Sequence, residues 1–303
     1  MSEIIFLRRS ITIAMGAAGL MRGTSAIAGT TSIQTAQVGA IEVTTISDGF
    51  LTVPSGFFPN ALDASLLNLG GKVQLGANVW LIKSGSRTML VDAGSGQAMG
   101  PDFPDVGNLG RLLKEADVQA EDITDVIVTH MHPDHIGGLI KGGQIAYQNA
   151  QIHIVEDEWN FWTNEGLLAQ APEQQRPIIL GVQGAASIIA ERVMFHKSGA
   201  DLGDGISLMP APGHTPGHTA VRVSSGDTQY LLIADAVVSG DIQFEHPDTA
   251  YALDANPDLA AQTRKHLFDM LSVDKIAFSA THLAFPGAGH VEKTASGYKF
   301  LSV

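Results

Sequence analysis

From Thr129 to Gly138 the chain reads THMHPDHIGG, which puts His130, His132, Asp134 and His135 within six residues. Imidazole and carboxylate groups hold divalent cations. Cysteine is absent from the chain, which excludes disulfides and thiolate ligands. On an extended backbone, residues two apart point the same way, so His130 and His132 share one side. Pro133 suits the first turn of a helix, where its missing N–H costs nothing. Such a turn carries Asp134 and His135 away from the first pair. One short segment can then offer two ligand sets to two neighbouring ions. Gly137 and Gly138 let other backbone approach closely behind them.

A two-ion site needs further donors, and the candidates fall at strand ends. His218 closes PGHTPGH, Asp235 ends TQYLLIAD and His282 ends KIAFSATH. A carboxylate has two oxygens and can bridge two ions. The favoured assignment puts His130, His132 and His218 on one ion, Asp134, His135 and His282 on the other, and Asp235 between them. His214 reads as a loop residue or a support for a ligand. Asp92, which ends LVDAG, reads as a carboxylate that orients a ligand histidine. His153, His196, His246, His266 and His290 read as surface or core residues. Two cations about 3.5–4 Å apart lower the pKa of water held between them and supply hydroxide near pH 7. Asp134 and Asp235 are therefore candidate catalytic groups as well, and no serine or cysteine nucleophile is needed. The donor set suits two divalent ions, zinc foremost, with manganese, cobalt or iron(II) also compatible.

Strands and helices must deliver these residues. IEVTTISDGF alternates like a half-buried strand ending in an Asp-Gly turn, and Thr30 to Gln37 before it reads as loose. Val53 to Gly71, rich in Pro, Gly, Asn and Phe, reads as a long loop. NVWLIKSG and RTMLVDAGSG form a hairpin signal. A short helix is expected over Asn108–Ala116, and the strand DITDVIVTH then delivers the histidine cluster. AQIHIV is a strand followed by a helix start at EDEWNFW. Pro172 to Arg192 reads as helical, interrupted at Gly181 and Gly184. Three strands follow in ISLMPAPGHTPGH, TAVRVSS and TQYLLIADAV. DLAAQTRKHLFDMLS is a helix, with apolar positions near 3.6 spacing, and KIAFSATH is again a strand. Strands interleaved in this way with helices predict layered sheets covered by helices.

With 303 residues, 45% hydrophobic, the chain can bury a sizeable core. Its formal charge of -13 and its lack of Lys/Arg blocks argue against nucleic-acid or anionic-membrane partners. A neutral or cationic small molecule fits better. The N-terminus reads as an export signal over residues 1–28: Arg8-Arg9, an uncharged stretch from Ser10 to Met21, and the small-x-small site Ala26-Ile27-Ala28. The arginine pair and weakly apolar Gly/Ala-rich stretch favour the twin-arginine route and a periplasmic or secreted protein. Ile11, where Phe is usual, and Glu3 depart from that pattern. Beyond the leader, no stretch has the roughly 18 or more apolar residues of a membrane span.

THMHPDH, then GHTPGH, then a strand-end Asp and a strand-end His, resemble the metallo-β-lactamase-fold hydrolases. SDGF at Ser47, LVDAGSG at Leu90 and HLAFPGAGHV at His282 are most similar to the branch containing methyl parathion hydrolase and related lactonases. The likeness runs from about Ile41 to the end. It implies an α/β fold, an αββα sandwich of two mixed sheets flanked by helices, as a single domain over residues 29–303. It also implies a dinuclear hydrolase acting on a small hydrophobic ester-type substrate: an organophosphate triester or a lactone, including acyl-homoserine lactones. Segments carrying Phe57, Phe58, Phe103, Trp159, Phe161 and Trp162 line the mouth in that family, which makes them pocket candidates, Trp162 first. The smaller lactonases carry a Tyr three residues after the bridging Asp, where this chain has Val238. The alternatives are a β-lactamase, a mononuclear-iron sulfur dioxygenase, or a metal-binding protein without turnover. Relatives are often dimers, so a homodimer stays open, although no stretch marks an interface.

Overall fold

The computed structural model describes residues 5–7, 32–62 and 69–303. The expected export leader, residues 1–28, lies outside them except for one short strand. The first sheet is built from β1 (Ile5–Leu7), β2 (Ile33–Val38), β3 (Ile41–Pro54), β4 (Lys72–Ser84), β5 (Arg87–Val91) and β6 (Asp125–Ile127). After a two-stranded hairpin of β7 (Ile140–Lys141) and β8 (Gln144–Ile145), it is completed by β9 (Gln151–Val155) and β10 (Val193–His196). Pairing is antiparallel from β1 to β5 and parallel from β5 through β6 and β9 to β10.

The second sheet runs in chain order through β11 (Asp201–Gly203), β12 (Ile206–Pro210), β13 (Thr219–Ser225), β14 (Thr228–Leu232), β15 (Ala277–Ser279), β16 (Ala288–Lys293) and β17 (Tyr298–Ser302). Only its β14–β15 pair is parallel among the described strands, because helix Pro257–Asp274 makes the crossover between them.

Side-chain alternation decides the layering. In β4, Trp80 and Ile82 pack between the sheets against Val221, Val223 and Leu232 of the second sheet. Val79 and Leu81, one residue out of phase, face helices Leu109–Glu115 and Arg176–Ile189 on the outer side. On the far side, Leu267, Phe268 and Leu271 of helix Pro257–Asp274 cover Leu231 and Phe278. The order is helix, sheet, sheet, helix. β4 is apolar on both faces because both are covered.

Three local expectations are corrected. Residues 33–38 form a strand rather than loose chain: Ala36 and Val38 are buried, and the strand pairs with β3 from Ile33 to Val38. The helix over Arg176–Ile189 continues through Gly181 and Gly184, because Ile179, Val182, Ala186 and Ile189 form one buried stripe that outweighs two poor helix formers. Between Val53 and Gly71 the strand persists to Pro54, followed by a 3-10 turn at Ser55–Phe57, while residues 63–68 lie outside the described residues.

Candidate metal centre

β6 ends at Ile127, and the chain then runs across the open edge of both sheets before helix Pro133–Ile136 starts with His132 as its N-cap and Pro133 in the first turn. That change of direction separates the histidines. The HxH pair stays on the extended side, and Asp134 and His135 ride the helix. Cβ atoms built at Gly137 and Gly138 would lie 2.1 Å from the Ser95 carbonyl oxygen and 1.9 Å from that of Ala93, so only glycine permits this packing.

Two clusters converge. His130 Nε2 and His214 Nε2 each lie 3.0 Å from His132 Nδ1. Asp134, His135 and His282 form a second group whose donor atoms lie within 4.8 Å of one another. Asp235 stands between them: its Oδ2 is 2.9 Å from His282 Nε2 and 3.4 Å from His214 Nε2, and its Oδ1 is 3.3 Å from His135 Nε2. Ala234 takes a left-handed φ of 42°, strained for a residue with a Cβ, as the chain leaves β14 and brings Asp235 into this position.

The site corrects one expected ligand. His218 is turned away from the cluster, with Nδ1 donating to the Ala211 carbonyl at 2.8 Å and Nε2 accepting the Asp235 backbone N–H at 3.1 Å. Both its nitrogens are taken. His214 occupies the place expected for it, and His214 Nδ1 pairs with Asp254 at 2.9 Å.

Surrounding groups fix each imidazole. Asp92, itself in a left-handed conformation at φ 62°, accepts from His135 Nδ1, Thr129 Oγ1 and the Thr129 N–H, all at 2.8 Å. His282 Nδ1 donates to the Gly76 carbonyl at 2.7 Å. Each bond presents the ring's other nitrogen to the centre.

Glu158, Asp254 and Tyr251 belong to no motif legible in the sequence. Glu158 is buried and accepts four hydrogen bonds, from Met131 N at 2.8 Å, Trp162 Nε1 at 2.7 Å, Thr215 Oγ1 at 2.6 Å and Gly217 N at 3.2 Å. It thereby joins the HxH segment to the PGHTPGH loop. Tyr251 stacks on His214 at 6.1 Å between ring centroids; burial first, then the charges of Asp134 and Asp235, hold its phenol well above its usual pKa. Arg264, buried, donates to the carbonyls of Ala236, Pro247 and Thr249 and so ties the Asp235 turn to the loop bearing Tyr251. Only the capping geometry around Asp254-Ala255-Asn256-Pro257 leaves a sequence trace, as a polar run before a helix.

The electrostatics suit cations. Burial, with the neighbouring imidazoles, holds His130 and His132 well below the usual histidine range, so their lone pairs are free at neutral pH. Burial would lower His135 as well, but Asp235, Asp134 and Asp92 outweigh it and raise its pKa. Burial would raise Asp235, yet His282, His135 and His130 hold it well below the carboxylate range. His135 Nε2 and Asp235 Oδ1 face each other at 3.3 Å, both buried, and neither makes a well-formed hydrogen bond. Orphaned groups of this kind are costly in a folded interior, and a divalent cation would satisfy both. The donors fit two such ions, one against His130, His132 and His214, the other against Asp134, His135 and His282, with Asp235 reaching both.

Two apolar cavities open on the site, of about 890 and 320 Å3, and both are lined by His132, Ile178 and Leu253. Of the expected pocket residues, Phe103 lines the larger cavity, and Phe161 and Trp162 line the smaller. Phe57 and Phe58 pack on Tyr251 instead, at 5.8 and 5.3 Å. Trp159 is corrected to a packing residue, edge-on to Phe195 at 5.4 Å. No Lys or Arg lines either cavity among the described residues.

Similar proteins agree with this architecture. A solved structure of AidC, a dizinc quorum-quenching lactonase in complex with a product, N-hexanoyl-L-homoserine, superposes with TM-score 0.83 and 28% identity. The match covers 90% of this chain and 97% of AidC. The hydrolase AbOPH of the beta lactamase superfamily gives 0.82 and 27% over the same shares. Among curated proteins, an acyl-coenzyme A thioesterase MBLAC2 from Bos taurus is 26% identical over 172 residues, 55% of this chain and 60% of its own length. A probable metallo-hydrolase from Mycobacterium bovis is 28% identical over 197 residues, 58% and 61%. The chain thus spans about 60% of the length of these curated relatives. The family model described as Metallo-beta-lactamase superfamily matches residues 73–280, more than half of the sequence, and the chain belongs to that superfamily.

Proposed function

We propose that the protein is a dinuclear metal-dependent hydrolase of neutral, apolar ester-type substrates, with N-acyl lactones foremost and phosphotriesters as the second class. The observation that carries this reading is the Asp235 carboxylate reaching both donor clusters at the head of two cavities without a cationic side chain. Two divalent ions held by these donors would supply hydroxide at neutral pH and polarise the attacked oxygen. The chain's own groups do the rest. Asp134 is 12% exposed against 2% for Asp235, and it lines the larger cavity. Its Oδ2, 3.5 Å from His282 Nε2, would belong to the donor set of the second ion, so Asp134 would place that ion against a substrate in the larger cavity. The apolar walls exclude bulk water and strengthen each polar contact inside. Similarity to AidC at 28% identity supports the lactone class.

Lack of a cation in the walls counts against coenzyme A thioesters, whose phosphates call for Lys or Arg, although a thioesterase is among the relatives. Val238 is fully buried with Leu75 and Ile242 and cannot serve as the tyrosine of the smaller lactonases. Export through the residue 1–28 leader belongs to the same proposal. A panel of N-acyl-homoserine lactones, δ-lactones, paraoxon, an acyl-coenzyme A and a cephalosporin, run with zinc, manganese and cobalt, tests it. Lactone turnover well above the others is expected. Turnover of the acyl-coenzyme A alone would overturn the substrate class, and one iron per chain would overturn the dinuclear reading.

A further inference from the structure

Helix Arg176–Ile189 presents Ile178, Gly181, Ala185 and Ile188 along one face of the 890 Å3 cavity that begins at His132 and Asp134. Spacings of three, four and three residues make these positions a single stripe. Gly181 sits in the middle of it. A Cβ built there meets nothing within 4 Å, and its φ is not left-handed, so neither close packing nor backbone conformation requires glycine. In a helix interior glycine is costly relative to alanine. What its missing side chain provides is room between Ile178 and Ala185.

We propose that Gly181 determines substrate length: by leaving the cavity wall open, it admits the long acyl or aryl arm of a neutral substrate whose cleaved group lies at the metal centre. This rests on the ester-type reading above. The arm lies along Ile178, Ala185 and Ile188, and each methylene it buries tightens binding by about three- to fourfold. Gly184 supplies a matched control. It lies on the same helix, is exposed, has the same free space at its Cβ, and lines neither described cavity.

The test uses the metal-loaded full chain and two readouts. The first is kcat/KM for N-butanoyl- to N-dodecanoyl-homoserine lactone. The second is calorimetric binding of N-butanoyl- and N-decanoylglycinamide, which are neutral and carry no lactone. In the wild type, the decanoyl amide binds at least tenfold more tightly than the butanoyl amide. Gly181→Leu weakens the decanoyl amide at least tenfold and leaves the butanoyl amide within about twofold; Gly181→Ala falls between, and Gly184→Leu matches wild type. If no lactone is opened but this binding pattern holds, the lactone reading fails and the role of Gly181 stands. Equal binding of the two amides by wild type overturns the role of Gly181. So does equal loss in Gly181→Leu and Gly184→Leu.

Discussion

His218 Nε2 accepts the backbone N–H of Asp235 at 3.1 Å, so the second histidine of GHTPGH holds the Asp235 backbone while the first, His214, faces the donor cluster. Two variants separate these roles. His214→Ala is expected to fall to about one metal ion per chain by elemental analysis. His218→Ala keeps two and loses about 10- to 100-fold in activity, as removal of a group supporting a ligand does. The reverse pattern of metal contents would return His218 to the ligand set.

Glu158 satisfies four donors with two oxygens. An amide in its place turns one acceptor into a donor facing Met131 N–H and Trp162 Nε1, or Gly217 N–H. Glu158→Gln should destabilise the fold by about 1–3 kcal/mol and change the emission of Trp162, which packs on His132 at 5.3 Å. An unchanged denaturation midpoint together with an unchanged emission maximum would show that this carboxylate holds nothing.

Away from the centre, Asp125 receives a bidentate contact from Arg87, at 3.0 and 2.8 Å, and one from His153 at 2.8 Å. Burial alone would raise its pKa, but His153, Arg87 and Thr124 overcome it and hold it well below the usual range. A carboxyl depressed in the folded state adds stability above its unfolded pKa of about 3.9, and that contribution is lost as pH falls. Asp125→Asn should therefore lower the melting temperature at pH 7 and flatten its decline between about pH 4 and pH 2. Parallel acid limbs for the two proteins would exclude this contribution.

Chelation should act on folding as well as on turnover. A cation present at 100 times its Kd stabilises the native state by about 2.7 kcal/mol per site. Melting scans with and without chelator should differ in wild type, and by less in Asp235→Ala, which lacks the shared carboxylate. Coincident scans for wild type would mean that no ion is held.

The histidine cluster is legible in the sequence because its four donors are local and a proline marks where strand gives way to helix. The choice between His214 and His218 is not. The two lie four residues apart in one loop, and what separates them is distant or tertiary: Asp254, 40 residues on, and the Asp235 amide. The layered fold could be read from β4 and from the helix Pro257–Asp274, whose patterns are long. The strands Ala288–Lys293 and Tyr298–Ser302 are not legible in the sequence because they are short and show no sustained alternation of buried and exposed positions, their partners being fixed by pairing rather than by pattern. Helix Arg176–Ile189 misled for the opposite reason, since its glycines are loud and its buried stripe is quiet.

His130 to His135 leave the first sheet, whereas His214, Asp235 and His282 leave the second. A growing chain therefore displays four donors long before the other three exist, and the set closes when the second sheet docks on the first. Imidazole and carboxylate do not by themselves rank zinc above copper. The cation supply where folding ends would then decide which ion is held, and refolding the same polypeptide in cobalt, manganese or zinc should yield three different holoproteins.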